Sequence, residues 1–418
     1  MSSEAFLGEI AEITMGQSPS GENCNAVGNG LPLLNGPTEF GTKHPYPVQF
    51  TTDPKRLAYP GDLLFCVRGS TTGRMNWSDQ TYAIGRGIAS IRGRNGYPNS
   101  FIRAVIESTL DSLLVQATGS TFPNVTGKLI ASLTIPKVTP KTASTIASII
   151  EPLDDRIALL RETNTTLEAI AQALFKSWFV DFDPVRAKQE GREPEGMDAD
   201  TAALFPDSFE ESELGLVPKG WKVGVLGDIA VSIRQQIATS ELNTELIYIG
   251  LEHMPRQSLS ICNWDNAQGL ESAKAAFSKG DILFGKLRPY FHKVIIAPFE
   301  GVCSTDILVC RSKQSTYYGI ITMHLFSIKL VEYANRLSNG AKMPRVNWKD
   351  IAAYTISIPP SSIAKEYSKV VIPLFERMMA NVHTTKTLES LRDTLLPRLI
   401  SGQLRIPEAE ALIEEASV

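Results

Sequence analysis

The sequence predicts an α+β protein that contains one plan twice, a globular domain followed by a long helix, in a pseudo-twofold internal repeat. Self-similarity at offsets of 219 and 221 residues predicts the duplication, and a heptad pattern closes each copy. Regular alternation of strand and helix is missing, which argues against a doubly wound sheet. A period this long exceeds that of solenoid repeats, so each copy must be a whole domain with an appendage.

The repeat consists of short motifs that recur in the same order. LGEIA at 7–11 recurs as LGDIA at 226–230, and GDLLF at 61–65 recurs as GDILF at 280–284. Further along, the residues Gly119, Pro123, Val125 and Lys128 recur as Gly340, Pro344, Val346 and Lys349. Because the matches are collinear through most of each half, chance is a poor explanation.

The first ~140 residues of each copy are predicted to be β-rich, because short apolar runs alternate with clusters of Gly, Pro, Asn and Ser. Helical segments are predicted between them at 100–115 and 317–337. This mixture of short strands and separate helices gives the α+β class.

Each copy ends in a helix whose apolar positions are spaced 4, 3, 4, 3, which is a heptad seam. The seam positions are Ile150, Leu153, Ile157, Leu160, Asn164, Leu167, Leu174, Leu374, Met378, Leu388 and Leu395. We expect the two helices to pair antiparallel, with polar positions such as Asn164 fixing the register. The alternative is two ordinary amphipathic helices, each packed on its own domain. Pro152 and Pro373 predict a kink or a helix start.

The length of these helices suggests a spacer. Thirty-odd helical residues at about 1.5 Å each form a rod of roughly 50 Å. One turn of B-DNA is about 34 Å, so two domains held apart by such a rod would reach separate half-sites in the same groove.

The charge distribution permits nucleic-acid binding, although the formal net charge is −4. Residues 186–219 and the tail from Glu408 concentrate acidic side chains, and the rest of the chain carries 37 basic and 32 acidic residues. Five scattered cysteines form no CxxC pair, so neither zinc nor a disulfide framework is predicted. No apolar run approaches ~20 residues and no secretory signal is predicted, so we expect a cytoplasmic protein.

The most specific stretch is SWFVDFDPVRAK at 177–188, which continues through LFPD at 204–207 to LGLVPKGW at 214–221. It resembles the link between the central helix and the second recognition domain in specificity subunits of Type I restriction–modification systems. The resemblance covers nearly the full length; the two GD strands and the TGSTFPN loop at 118–124 are weaker features.

The resemblance implies a division of labour. Each target recognition domain would read one half of a split site in double-stranded DNA. The helices would set the spacing and dock two methyltransferase subunits, and restriction/translocase subunits would join them. S-adenosylmethionine, ATP and Mg are then expected only on the partner subunits, with no cofactor or metal in this chain.

The resemblance also implies a domain plan. It consists of target recognition domain 1 at 1–140, a central helical spacer at 141–182, a linker at 183–221, target recognition domain 2 at 222–360, a C-terminal helical spacer at 361–405 and an acidic tail at 406–418.

Catalytic motifs are missing from the sequence. It contains no GxxxxGK[ST] phosphate loop, no Asn-Pro-Pro-Tyr/Phe tetrapeptide, no GxSxG and no HExxH. We therefore predict a non-catalytic subunit. Two alternatives stay open: a coiled-coil scaffold that binds proteins without reading DNA, and a stand-alone modification enzyme with an unrecognised site.

The first candidate DNA contacts follow the two GD strands. DNA readers need cations for phosphates and forked or amide donors for base edges. The loops at 67–74 and 286–293 occupy equivalent places with different content, as readers of different half-sites would; solvated basic turns are the alternative. The candidates are Arg68, Ser70, Thr71, Thr72 and Arg74, then Lys286, Arg288, Tyr290, His292 and Lys293, with Arg86 in a further basic stretch.

The second candidate pair lies at 120–124 and 341–345, where a Gly precedes and a Val follows in both copies. Its candidate contacts are Thr121, Asn124, Lys342 and Arg345. Asn pairs well with adenine and Arg with guanine, so Asn124 and Arg345 are the predicted base readers. Structural turns are the alternative.

Overall fold

The computed structural model describes residues 4–41, 43–117, 123–338, 340 and 343–416. The chain divides into two compact units: unit 1 comprises Met1–Leu159 with Thr385–Val418, and unit 2 comprises Leu160–Thr384. Each unit therefore contains one globular domain and part of each long helix. This division cuts across the six-part plan predicted from the sequence, which kept domains and helices apart.

Unit 1 contains two sheets and a ribbon. The antiparallel four-stranded sheet has the order Ala11–Met15, Ile88–Gly93, Leu63–Cys66, Met75–Trp77. The mixed five-stranded sheet has the order Cys24–Asn25, Phe50–Thr51, Leu31–Leu34, Tyr82–Ile84, Leu57–Ala58. The ribbon pairs Glu4–Phe6 with Thr134–Pro136. The short helices are Leu7–Ile10, Asn99–Ser108, Leu110–Gln116, Gly127–Ala131 and Ile406–Ala416, with 3₁₀ turns at Gly21–Asn23 and Pro37–Glu39.

Unit 2 repeats this architecture. Its four-stranded sheet has the order Ala230–Ile233, Ile307–Ser312, Ile282–Gly285, Val294–Ile296. Its five-stranded sheet has the order Gln236–Ile237, Lys274–Phe277, Gly301–Cys303, Ile247–Ile249, Asp265–Asn266. Two ribbons pair Lys222–Val225 with Thr355–Ile358 and Phe209–Ser212 with Gly215–Pro218. The helical segments are Ser177–Asp181 (a π turn), Asp183–Gln189, Ala199–Ala203, Leu226–Ile229, Tyr318–Phe326, Ile328–Leu337 and Trp348–Ala352, with 3₁₀ turns at Thr239–Glu241, Pro289–Phe291 and Ser315–Tyr317.

The strand orders confirm the predicted duplication and the α+β class. In both units the repeated GD motif directly precedes a central strand of the four-stranded sheet. Each five-stranded sheet also contains a parallel pair of strands. The pair is Leu31–Leu34 with Tyr82–Ile84 in unit 1 and Ile247–Ile249 with Gly301–Cys303 in unit 2. The helical segments predicted at 100–115 and 317–337 are also present.

The two long helices span Pro140–Lys176 and Ser361–Ile400. Within unit 2 they run antiparallel, because Asn381 Nδ2 donates to Asn164 Oδ1 at 2.8 Å and Tyr367 Oη donates to the carbonyl of Ala171 at 3.1 Å. Asn164 also donates to the carbonyl of Met378 at 3.1 Å. Two polar seam positions therefore satisfy each other in a buried setting, where an amide without its partner would cost about 1–3 kcal/mol.

The seam residues are buried as their spacing predicts. Most are almost inaccessible to solvent, and Leu167, Leu174 and Leu374 are half-buried against the core of unit 2. The helices also pack on the domain of that unit. The Phe175 ring lies edge-on to His324 at 4.9 Å, and Glu168 Oε2 accepts from the backbone N–H of Leu259 at 2.7 Å. Burial at this contact raises the pKa of Glu168 to about 7. Within unit 2 the helices are thus paired, and the first long helix also packs on the domain of the second copy, which is not the own-domain packing that the alternative described.

The prolines do not start the helices. Pro152 lies inside Pro140–Lys176, and Pro373 lies inside Ser361–Ile400. The predicted helix start at these residues is wrong. Both prolines lie on exposed positions, where water can satisfy the carbonyl that a proline leaves without a donor. The alternative, a kink, stays a prediction.

The segment predicted as a linker, 183–221, is folded into unit 2. Its Phe205 meets the helix-end residue Trp178 edge-on at 5.3 Å, and Trp221 meets Phe182 at 5.6 Å. These rings join the core that also contains Tyr367. Aromatic side chains bury large apolar areas, so this segment is a packed part of unit 2. The acidic tail is likewise helical at Ile406–Ala416.

Among the described residues, none of the helices combines the length and apolar character needed to cross a bilayer.

Candidate nucleic-acid interface

The two candidate segments of unit 1 lie side by side. The strand Leu63–Cys66 runs into the loop at 67–74, and the backbone N–H of Val125 donates to the carbonyl of Val67 at 2.9 Å. Arg68 and Asn124 form a bridge between the segments, and Arg68 Nε donates to Asn124 Oδ1 at 3.0 Å. Segments more than 50 residues apart in sequence therefore form one surface.

Unit 2 builds the same arrangement. The N–H of Val346 donates to the carbonyl of Lys286 at 3.1 Å, and Leu287 bridges Arg345. A second bond ties the loops, because Arg288 N donates to the carbonyl of Pro344 at 2.7 Å. The structure thus brings the predicted loops together in both units, at the positions that the repeat makes equivalent.

The GD motif itself is structural. The carboxylate of Asp62, almost fully buried, accepts from Tyr59 N at 2.8 Å, Ser90 Oγ at 2.7 Å and Arg92 Nε at 2.6 Å. Asp281 is equally buried and accepts from Ser278 N at 2.8 Å and from Arg311 Nε and Nη2 at 2.6 and 2.7 Å. Arg92, which the sequence grouped with a basic stretch, is held in this pair. The motif anchors the strand that carries the recognition loop.

The candidates of the first loop in unit 1 differ in their surroundings. Arg68, Ser70 and Thr71 are exposed. The half-buried Thr72 directs its hydroxyl at the carbonyls of Gly69 and Pro123, at 2.8 and 2.9 Å, so it joins the two segments. The exposed Arg74 reaches the carbonyls of Pro37 and Phe40 at 3.3 and 3.4 Å. Arg86 is exposed on the adjoining turn.

His292 was predicted to contact DNA, and this prediction is wrong. The side chain is 6% exposed, and its Nε2 lies 2.8 Å from the carbonyl of Phe326. Burial lowers the pKa of His292, so the ring stays neutral. Its backbone and that of Arg288 adopt left-handed φ angles of 49° and 51° on either side of a 3₁₀ turn. Such strain clusters at sites held in place by their surroundings, and His292 holds the loop.

Lys293 is also engaged inside the protein. Its Nζ donates to the carbonyl of Leu251 at 2.5 Å, and burial together with the nearby Arg256 lowers its pKa. One of its three N–H donors is therefore directed into the fold, and its contact with DNA stays a prediction. Tyr290 is 51% exposed and lies on the open side of the same loop.

Arg345 is exposed and paired. Its Nε and Nη2 donate to the two carboxylate oxygens of Asp306 at 2.9 and 3.3 Å, a bond that raises its pKa further above the ordinary range. A fork held in this way is aligned before any base arrives, and its remaining N–H groups are directed by the pair. Thr121 and Lys342 lie outside the described residues.

Two features escaped the sequence. Arg256 stacks its guanidinium 4.1 Å from the centre of the Phe291 ring, beside the recognition loop. A pocket of about 520 Å³ opens next to the same loop and is lined by Arg234, Lys286, Trp348 and Lys349. These four residues come from three separate segments of the chain, so no local sequence pattern joins them. Lys286 was already a predicted DNA contact, and Lys349 is the counterpart of Lys128 in the repeat, whereas Arg234 and Trp348 belonged to no predicted site. Within the described ranges, no group of His, Cys, Asp and Glu side chains is arranged to hold a metal ion.

Comparison with known proteins decides the family. The family model for the Type I restriction modification DNA specificity domain matches residues 3–169 and again residues 218–389. The chain belongs to the Type I specificity family. The two matched segments coincide with the two copies of the repeat, so the family domain occurs once in each half.

Two relatives in this family match this chain over most of their own length and over most of its length. The chain is 27% identical over 84% of its length to the Type I restriction enzyme MjaIX specificity subunit of Methanocaldococcus jannaschii, covering 79% of that protein. It is also 27% identical to the HindI specificity subunit of Haemophilus influenzae, over 70% of this chain and 73% of that one. A solved S subunit from M. genitalium covers 95% of both chains with a TM-score of 0.57 at 14% identity, which shows a shared fold.

Proposed function

We propose that this chain reads a bipartite sequence in double-stranded DNA, with each recognition domain contacting one half-site. One observation carries the proposal: both units join the same two loops through the same backbone hydrogen bond, Val125 to Val67 and Val346 to Lys286, while the side chains on those loops differ. Equal backbones with unequal side chains suit two readers of different sequences. A protein-binding scaffold has no need of forked donors at matched turns.

The partners follow from the family. Relatives are named as specificity subunits of Type I restriction enzymes. We propose that the long helices dock two methyltransferase subunits and that restriction/translocase subunits join the complex. Methyl transfer, ATP hydrolysis and cutting would occur on those partners, together with S-adenosylmethionine, ATP and Mg. A DNA-reading subunit of this kind would act in the cytoplasm.

Loop variants test the assignment of half-sites. Replacing Arg345 with alanine in a complex with the methyltransferase subunits should weaken recognition of one half-site by about 5- to 150-fold, because a bidentate base contact is worth about 1–3 kcal/mol. The Asp306→Asn variant keeps the Arg345 guanidinium but removes the carboxylate that holds it in place, so a smaller loss at the same half-site is expected. The readout is methylation of duplexes in which each half is mutated separately.

A control separates base reading from general effects. Lys222 is exposed on a ribbon strand away from the recognition loops, so Lys222→Ala should leave both half-sites unchanged. Equal loss at both half-sites in Arg345→Ala, or no loss at either, contradicts the assignment of this loop.

A further inference from the structure

The pocket beside the second recognition loop has the composition of an anion site. Three cations line it, Arg234, Lys286 and Lys349, and it includes the half-buried Trp348 and the exposed Asn347, each with an N–H donor. Arginine, lysine and asparagine side chains are among the groups that donate hydrogen bonds to DNA phosphates. The pocket holds about 520 Å³, which is ample for a sugar-phosphate unit.

The cations of the pocket are available. In the part of the chain that the structure describes, the side chains of Arg234, Lys286 and Lys349 form no ion pair or hydrogen bond. Arg345, by contrast, pairs with Asp306, and Lys293 donates to the carbonyl of Leu251. The single carboxylate among the lining residues, Asp350, accepts from the backbone N–H of Asn347 at 3.3 Å and so caps its own turn.

The pocket is continuous with the recognition loops. Lys286 begins the loop at 286–293, and its backbone lies between the two other segments: its N–H donates to the carbonyl of Asp306 at 2.9 Å and its carbonyl accepts from Val346 at 3.1 Å. A strand of DNA whose bases face Arg345 would therefore present its backbone to this side of the loop.

The corresponding place in unit 1 has different chemistry. By the repeat, Arg234, Lys286 and Trp348 correspond to Met15, Val67 and Gly127. Met15 lies over Gly127, since a Cβ built on that glycine would be 3.1 Å from Met15 Cγ. Lys128 is retained opposite Lys349, and Arg86 occupies the position of Thr305. The basic pocket is therefore a property of the second domain.

We propose that this pocket of unit 2 binds a backbone phosphate of the DNA at the second half-site, with Arg234, Lys286 and Lys349 supplying the charge. The inference rests on the proposed function and deepens it. The contact adds affinity without reading bases, so it makes binding at the second half-site more dependent on salt.

The test uses the complex with methyltransferase subunits and a duplex of its target. Each phosphate contact contributes about 0.9 to the slope of log affinity against log salt. The double variant Arg234→Gln with Lys349→Gln should lower that slope by about 0.9, the contribution of one phosphate contact, while preference for the target over a scrambled duplex stays the same. An unchanged slope overturns the proposal, and so does a changed base preference, which would indicate base contact.

Uncharged methylphosphonate linkages, placed one at a time in the DNA backbone, locate the contact. Methylphosphonate at one position of the second half-site should weaken binding of the native complex but not of the double variant. Methylphosphonates in the first half-site should weaken both equally, and Lys128→Gln, a change in unit 1, should leave the dependence on the second half-site phosphate as it is in the native complex. If methylphosphonate weakens binding of the double variant by the same factor at every position of the duplex, the pocket is not a defined phosphate site. If the native complex does not distinguish target from scrambled DNA, the proposed function is refuted. The salt dependence of binding then still tests whether the pocket binds a phosphate.

Discussion

Replacing Arg392 with alanine is expected to lower the free energy of unfolding of unit 1 by about 3 kcal/mol. This arginine occupies a seam position of the second long helix, and its side chain is 16% exposed. Its Nη1 donates to Asp154 Oδ1 on the first long helix at 2.7 Å and lies 4.0 Å from Glu107 Oε2. Burial opposes its charge, but Glu107 and Asp154 more than compensate and raise the pKa of Arg392. Removing the cation leaves two poorly hydrated carboxylates.

Hydrogen exchange at increasing urea concentration measures this effect peptide by peptide, which separates unit 1 from unit 2. Replacing both Arg392 and Asp154 with leucine should restore most of the stability, because a buried pair is commonly replaceable by apolar side chains. Arg398 is exposed near the end of the same helix, so Arg398→Ala should change stability by less than about 0.5 kcal/mol. A loss below about 1 kcal/mol in Arg392→Ala contradicts the role given to this pair.

Replacing Asp281 with alanine is expected to destabilise unit 2 by about 3 kcal/mol and to leave unit 1 unchanged. The variant leaves the Arg311 guanidinium without its bidentate partner and the N–H of Ser278 without an acceptor, and an unsatisfied buried group costs about 1–3 kcal/mol. Recognition of the second half-site should be lost at a lower temperature than in the native protein, since the loop at 286–293 follows the strand that Asp281 anchors.

The equivalent residue of unit 1 provides the matched comparison. Asp62→Ala should destabilise unit 1 alone, because Asp62 receives hydrogen bonds from Tyr59, Ser90 and Arg92 of that unit. Thermal unfolding followed by hydrogen exchange distinguishes the two variants. If either variant loosens both units equally, the two GD motifs do not act as independent anchors.

The parts of the fold that could be predicted are those that repeat. Short motifs at constant offsets predicted two like domains, and heptad spacing predicted the paired helices, because the packing of strands and helices depends on periodic apolar positions. The sequence predicted that Asn164 helps to fix the register, and the structure adds its partner, Asn381. The contact between the first and second recognition loops of each unit was not predicted, because a repeat shows equivalent positions and not which segments touch.

The roles of single polar side chains could not be predicted in the same way. His292 and Lys293 look like DNA contacts in a basic loop, and only the fold shows that His292 meets the carbonyl of Phe326 and Lys293 that of Leu251. The partner of Arg345 is 39 residues away in sequence. The pocket cations Arg234 and Lys349 come together through the sheet, so their proximity depends on tertiary structure.

The decisive measurement is a map of the sites that the methyltransferase partners methylate when this chain directs them. We expect two short specific blocks separated by a gap of fixed length and unrestricted sequence. Variants on the loops of unit 1 should alter one block, and variants on the loops of unit 2 the other. A single contiguous recognition block, or methylation without sequence preference, would contradict it.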